Sequence, residues 1–126
     1  MKQCMIIVVA IVFVVLLSFW QSSYLKDTSK YILTDINEID NSVKREDFNS
    51  ALKGVEELEK TWESIKPGWD IFGEHDDIEQ ISEHIESLKV YAKYEDKEEL
   101  VNEYYLLKSL INHVIDAEQL KFSNVL

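Results

Sequence analysis

The chain has 126 residues, with 13 Lys and Arg against 24 Asp and Glu, a net charge of −11, one Cys and one Pro. These numbers fit one small domain and exclude a multidomain enzyme, a disulfide-stapled secreted module and a Pro/Gly-rich fibrous protein. The mean hydropathy of −0.18 averages an apolar N-terminal segment with an acidic remainder, so it describes neither of them.

The chain opens with an uncharged apolar run, residues 4–20. A helix of this length measures roughly 25 Å, and the uncharged residues up to Leu25 extend it to the bilayer hydrocarbon thickness of about 30 Å. Trp20 and Tyr24 lie on one helical face, where aromatic rings favour the headgroup boundary. We predict that residues 1–25 form a single-pass N-terminal membrane anchor and that residues 4–20 contact the lipid bilayer.

A cleavable signal peptide is the competing interpretation, since Lys2 followed by an apolar run is typical of one. Cleavage requires small residues at positions −3 and −1, and the best candidate, Leu16-Leu17-Ser18, places Leu at −3. A lipoprotein is disfavoured because Cys4 precedes the run. We therefore expect a retained anchor in the cell membrane. A short N-terminal tail before a signal-like run favours an extracytoplasmic C-terminal domain.

Residues 26–126 are predicted to form one acidic all-α domain. Without residues 1–20, whose only charged side chain is Lys2, the net charge becomes −12. Such a surface repels nucleic acid, so no nucleic-acid partner is expected. Apolar residues recur at the helical period, which predicts an antiparallel bundle of about four amphipathic helices. The predicted helices span about residues 28–44, 47–66, 74–94 and 96–119.

Two further features belong to the predicted helix ends. Pro67-Gly68 is expected to end the second helix. The fourth helix is expected to begin at a capping box, in which the Asp96 carboxylate accepts the Glu99 amide hydrogen and Glu99 reaches back. The tail, residues 120–126, contains Phe122 and other apolar residues, so we expect it to pack against the bundle.

The segment 66–73, predicted to be a loop, holds the most distinctive residues. Trp69 and Phe72 are large apolar side chains in a turn, so they need a surface to cover, on their own domain or on another protein. Asp70 and Glu74 would supply an acidic rim. We predict an interaction site at Trp69, Phe72, Asp70 and Glu74.

A block of seven acids without Lys or Arg follows Pro67: Asp70, Glu74, Asp76, Asp77, Glu79, Glu83 and Glu86. The spacing of a calcium-binding loop is absent, so we predict no defined metal site. The nearest candidates for one are His75, Asp76, Asp77 and Glu79. The simpler interpretation is a solvated acidic face, or a docking patch for a basic partner, with carboxylates that complement a helix N-terminus.

The other histidines and possible nucleophiles offer no catalytic pattern. His84 flanks an apolar stripe and is expected to be a partly buried helix residue, whereas His113 is expected to be solvated. Neither Glu-x-x-His nor His-Glu-x-x-His occurs, and no Gly-x-Ser-x-Gly or phosphate-binding loop is present. We predict no catalytic residues, no cofactor and no enzymatic activity.

A family resemblance rests on scattered aromatic and polar positions: Trp62, the runs 69–72 and 75–78, Leu88 with Tyr91, and the closing runs 113–118 and 122–126. Over residues 45–126 the chain resembles domain of unknown function 4363, a family of small membrane-anchored helical proteins of spore-forming Gram-positive bacteria. The resemblance implies a bacterial cell-membrane location and a retained anchor, and it implies no activity. The pattern includes Trp62, His75, His113, Glu118 and Asn124.

We interpret these pattern positions as structural. The segment 66–77 and the C-terminal tail would pack together at one end of the bundle, and Glu118 and Asn124 would hydrogen-bond to backbone groups freed at the helix breaks. Two functions remain open. The first is a non-enzymatic accessory subunit that binds another membrane protein through the Trp69 and Phe72 surface. The alternative is a cation- or pH-sensing bundle that uses His75 and acts through a membrane partner.

Overall fold

The computed structural model describes the backbone of residues 1–125, together with all their side chains except those of Ser22 and residues 121–125. This part of the chain contains no strand and four helices: α1 (Lys2–Lys44), α2 (Phe48–Phe72), α3 (His75–Lys93) and α4 (Lys97–Val125). Each helix packs on the next, and α4 packs back on α1. The predicted all-α four-helix bundle is confirmed.

The first helix runs without interruption from the apolar run into the bundle, because neither Pro nor Gly occurs before Gly54. Its N-terminal part is long and apolar enough, by length and composition, to cross a membrane, and none of that part is buried. Leu25 already lies in the bundle core. We call residues 4–20 the apolar segment, the end of the bundle beside it the near end, and the opposite end the far end.

The second helix passes through Pro67 and ends at Phe72, so the predicted helix end at Pro67-Gly68 is wrong. Proline removes one helical hydrogen bond and normally kinks or ends a helix. Here the turn after Pro67 carries Trp69, which is completely buried. Burial of so large an aromatic side chain favours the helical path over the exposed loop that the sequence predicted.

The core consists of one stripe from each helix, with Leu25, Ile32, Ile36, Ile39 and Val43 from the first helix. The second contributes Ala51, Val55, Leu58, Trp62, Ile65 and Trp69, and the third contributes Ile78, Ile81, Ile85, Leu88 and Ala92. The fourth contributes Leu100, Tyr104, Leu107, Ile111 and Val114. These stripes follow the helical period that the sequence shows.

The buried positions of the first hairpin, α1 with α2, recur in the second hairpin, α3 with α4, 49 positions later. The matching pairs are Ile32 and Ile81, Ile36 and Ile85, Ile39 and Leu88, Val43 and Ala92, Ala51 and Leu100, Val55 and Tyr104, Leu58 and Leu107, Trp62 and Ile111, Ile65 and Val114, and Trp69 and Glu118. The two hairpins therefore share one register of buried positions, although their exposed residues differ.

The two far-end turns have the same backbone. Glu46 and Glu95 adopt left-handed φ angles of 57° and 55°. In both turns the next residue, an Asp, donates its amide to a carbonyl five residues earlier, at 2.9 Å from Asp47 and 3.0 Å from Asp96. This is the Schellman arrangement, in which a left-handed residue closes a helix.

The same two aspartates begin the following helices. The Asp47 carboxylate accepts the Ser50 amide at 3.2 Å and the Ser50 hydroxyl at 2.8 Å, and these hydrogen bonds lower the pKa of Asp47. The Asp96 carboxylate accepts the Glu99 amide at 3.3 Å. The first half of the predicted capping box is thus confirmed.

The fourth helix is longer than predicted and reaches Val125. It therefore includes most of the tail that was expected to pack against the bundle. Leu120, the first residue of that tail, is 65% exposed. The predicted packing of Phe122, Val125 and Leu126 concerns side chains outside the described part of the chain.

Candidate functional site

An aromatic cluster marks the near end, where α1 leaves the apolar segment. The ring of Trp20 stacks on Tyr24 with 5.9 Å between centroids, and both rings meet Phe72 edge-on, at 5.7 and 6.4 Å. Phe72 is half-buried in this cluster. The predicted interaction residue Phe72 therefore joins the end of α2 to the start of the bundle on α1.

Gly68 permits this close approach of α1 and α2. A Cβ atom at Gly68 would lie 2.6 Å from Tyr24 Cε1, well inside van der Waals contact. The Tyr24 hydroxyl donates to the Ile65 carbonyl at 3.3 Å. The φ of Gly68 is not positive, so the backbone conformation does not call for glycine. Glycine is required here because the Tyr24 ring occupies the space of a side chain.

Trp69 lies in the core with no exposed surface, so its predicted place on an interaction surface is wrong. Its indole N–H donates to the Thr28 hydroxyl at 2.8 Å, and Thr28 in turn donates to the Tyr24 carbonyl at 2.7 Å. Trp62 meets Trp69 edge-on at 5.5 Å and donates its indole N–H to Ser82 at 2.8 Å. The surface that Trp69 covers belongs to its own domain.

The Glu118 side chain joins α4 to α1. It is 7% exposed and accepts a hydrogen bond from the Gln21 amide at 2.8 Å. This pair connects two side chains across the near end, whereas the sequence predicted contacts with freed backbone groups. The Asn124 side chain, predicted to act similarly, lies outside the described part of the chain.

The three histidines occupy different environments. His75 is exposed at the start of α3, and His113 is exposed on α4, as predicted for His113. His84 is partly buried, as predicted, and its Nδ1 lies 2.7 Å from Glu103 on α4. His84 thus joins α3 to α4 in a pair that the sequence analysis did not identify.

Lys66 on α2 forms ion pairs with two residues of the acidic block. The Lys66 ammonium lies 3.2 Å from Asp70 and 3.3 Å from Glu79, and hydrogen bonds to both raise the pKa of Lys66. Among the described residues, no three His, Cys, Asp or Glu side chains are grouped so that they could hold a metal ion. The candidates His75, Asp76, Asp77 and Glu79 are therefore not brought together as a ligand set.

The α2–α3 corner is an exposed part of the near end. We define it by Asp70, Ile71, Glu74 and Asp76. Ile71 is 74% exposed, and the three acids are exposed around it. Carboxylates around an exposed apolar side chain favour contact with a basic and apolar surface.

A buried polar network towards the far end was missed by sequence reasoning. The Tyr104 hydroxyl, on a side chain that is 1% exposed, donates to Asp40, which also pairs with Lys44 at 3.1 Å. Burial raises the pKa of Tyr104, and the neighbouring Asp40 carboxylate raises it further. Burial alone would raise the pKa of Asp40, but the hydrogen bonds from Tyr104 and Lys44 outweigh it and lower that pKa.

Together these features define an acidic four-helix bundle whose first helix extends as an apolar segment long enough to span a membrane. The model of the domain of unknown function DUF4363 matches residues 19–125, so the chain belongs to that family. The match begins at Phe19, near the end of the apolar segment, and covers the rest of α1 and all of α2, α3 and α4. No curated protein and no solved structure matches the chain.

Proposed function

We propose that the protein is a membrane-anchored, non-enzymatic accessory subunit that binds another membrane protein through the α2–α3 corner. The observation that carries this proposal is the position of Ile71. It is 74% exposed, and it directly precedes Phe72, which contacts Trp20 at the end of the apolar segment. The corner is therefore beside the membrane surface when the apolar segment spans the bilayer.

The position of the corner restricts the kind of partner that reaches it. A protein in the same membrane meets the near end of the bundle first, because α1 continues into the apolar segment without a flexible linker. The exposed acids Asp70, Glu74 and Asp76 favour basic residues on that partner. Ile71 supplies the apolar contact that such an interface needs at its centre.

We further propose that the bundle lies outside the cytoplasm, in the cell membrane. Lys2 before the apolar run is the arrangement that export signals share. A Gln80→Cys substitution in a Cys4→Ser background tests this topology, since Gln80 is exposed on α3. A membrane-impermeant thiol reagent added to whole cells should label the new cysteine. Labelling only after the cells are lysed would overturn the orientation.

The binding surface is tested by placing a photo-crosslinking amino acid at Ile71 in intact membranes. We expect a discrete adduct with one membrane protein. The matched control is Leu106, which is 46% exposed on α4 and should give no such adduct. Crosslinking at Ile71 to lipid alone, or equal protein adducts from both positions, would contradict the proposal.

A further inference from the structure

A groove with a volume of about 730 Å³ separates α1 from α4 at the near end. Along α1 its lining begins at Phe19, within the apolar segment, and continues past Lys26 and Lys30 to Leu33. Along α4 the lining includes Ile115 and Gln119. The groove therefore begins at the level of the bilayer interface and continues along the bundle toward the far end.

The groove carries positive charge on an otherwise acidic domain. Lys26 and Lys30 are exposed, and neither forms an ion pair with any described residue. Asp27 is the one carboxylate in the lining, and it accepts a hydrogen bond from Ser23 at 3.4 Å. The described α4 residues of the lining, Asn112, Ile115 and Gln119, are uncharged.

The heights of the two lysines match the headgroup layer. On a helix Lys26 lies roughly 3 Å beyond Tyr24, the aromatic residue expected at the headgroup boundary, and Lys30 roughly 9 Å beyond it. Helical side chains tilt toward the N-terminus, so on α1 both lysines point back toward the apolar segment. Each headgroup layer of a bilayer is about 5–8 Å thick. The two ammonium groups therefore reach the phosphates of the surrounding lipids.

We propose that this groove binds one anionic phospholipid from the bilayer that α1 spans. The headgroup phosphate pairs with Lys26 and Lys30, and an acyl chain lies along Phe19. On α4 the described lining reaches Gln119. The lipid site is on the opposite side of the near end from the acidic α2–α3 corner and does not depend on the function proposed for that corner.

The test uses the full chain in detergent micelles and measures lipid retention by native mass spectrometry. Phosphatidylglycerol is the anionic probe, and phosphatidylcholine is the neutral one. We expect the wild type to retain one phosphatidylglycerol in preference to phosphatidylcholine. A Lys26→Gln/Lys30→Gln double substitution should weaken that retention roughly thirtyfold, because each lysine near an anionic surface contributes about a factor of five.

The matched control is Lys53→Gln/Lys60→Gln on α2, which makes the same charge change away from the groove and should leave retention unchanged. Circular dichroism should show the same helix content for all variants, since all four lysines are at the surface. Equal retention of both lipids, an unaffected double variant, displacement by millimolar inorganic phosphate, or occupation of the groove by a second copy of the chain would each overturn the proposal.

Discussion

The two helical hairpins use the same packing register but differ at the near end of the bundle. Both hairpins bury side chains at positions 49 apart, such as Ile36 and Ile85, and both close at the far end through a left-handed Glu. They diverge at the near end, where Trp69 in α2 corresponds to Glu118 in α4. Trp69 fastens α2 to α1 through a buried indole, and Glu118 fastens α4 to α1 through a hydrogen bond to Gln21.

The shared register and the near end therefore differ in how strongly they depend on particular residues. The shared register needs only apolar residues of suitable size, so it tolerates many substitutions. The near end depends on particular residues, because there the helix that continues into the apolar segment is held by α2 on one side and by α4 on the other. We expect substitutions at the near end to distinguish the two hairpins, and substitutions in the turns to affect them almost alike.

The largest expected effect is that of Trp69→Ala. It removes a completely buried indole and its hydrogen bond to Thr28, and should lower the free energy of unfolding by about 3–5 kcal/mol. Urea unfolding of the full chain in detergent micelles, followed by circular dichroism, measures this loss. The equivalent substitution in the second hairpin, Glu118→Ala, should cost only about 1–3 kcal/mol. A larger loss for Glu118→Ala would reverse the comparison.

The next effect concerns the link between the hairpins at Tyr104. Tyr104→Phe leaves the aromatic packing but removes the hydroxyl that donates to Asp40, which should cost about 1.5–3 kcal/mol because the acceptor is charged. Its neighbour Tyr105 is 56% exposed, so Tyr105→Phe should change stability by less than about 0.5 kcal/mol. Equal effects of the two substitutions would show that the buried bond contributes nothing.

The same pair predicts a pH dependence with a defined sign. The pKa of Asp40 is lowered from 3.8, so its contribution is present at neutral pH and is lost as the pH falls through the folded-state pKa. The pKa of Tyr104 is raised from 10.0, so its contribution is present below pH 10.0 and is lost as the pH rises through the raised value. The stability difference between wild type and Tyr104→Phe should be largest near neutral pH and shrink below pH 3.8. If the stability difference between wild type and Tyr104→Phe were the same at pH 7 and pH 3, the proposed contribution of the Tyr104–Asp40 hydrogen bond would be wrong.

A smaller effect is expected from the helix contact at Gly68. Gly68→Ala places a Cβ against the Tyr24 ring and should cost about 1–3 kcal/mol by overpacking. The equivalent position in the second hairpin is Ala117, and Ala117→Gly should cost about 0.5–1 kcal/mol through helix propensity alone. Combining Gly68→Ala with Tyr24→Ala should cost less than the sum of the two single losses. Strict additivity would indicate that the ring and the glycine do not interact.

The smallest effect is a gain in the far-end turns. Glu95→Gly removes a left-handed non-glycine residue and should raise the free energy of unfolding by about 1 kcal/mol. Glu46→Gly should gain less, because Glu46 also pairs with Lys97 at 3.2 Å and an exposed ion pair contributes up to about 1 kcal/mol. Thermal unfolding of both variants measures the difference. A loss of stability in both would show that the turns are not strained.

The sequence predicted correctly the features that rest on a repeating pattern of apolar residues. The periodic apolar residues of α3, such as Ile81 and Ile85, predicted both the helix and its buried face. The prediction failed at Pro67, where a local rule for helix ends was overridden by burial of Trp69. For the candidate site, the acids Asp70 and Glu74 were visible in the sequence, whereas the exposed apolar residue between them, Ile71, was not singled out. The burial of Trp69 depended on contacts with α1 that no local pattern contains.

The amino-acid pattern alone determined the helical class, the apolar segment long enough to cross a membrane and most residues of the core. These follow from hydropathy and from the helical period, which are local properties of the chain. Tertiary structure decided which residues meet across long separations, such as Tyr104 with Asp40 and Glu118 with Gln21. It also decided that Trp69 is buried while Ile71 is exposed, because only the packing of α2 against α1 determines which side of that last helical turn faces the core.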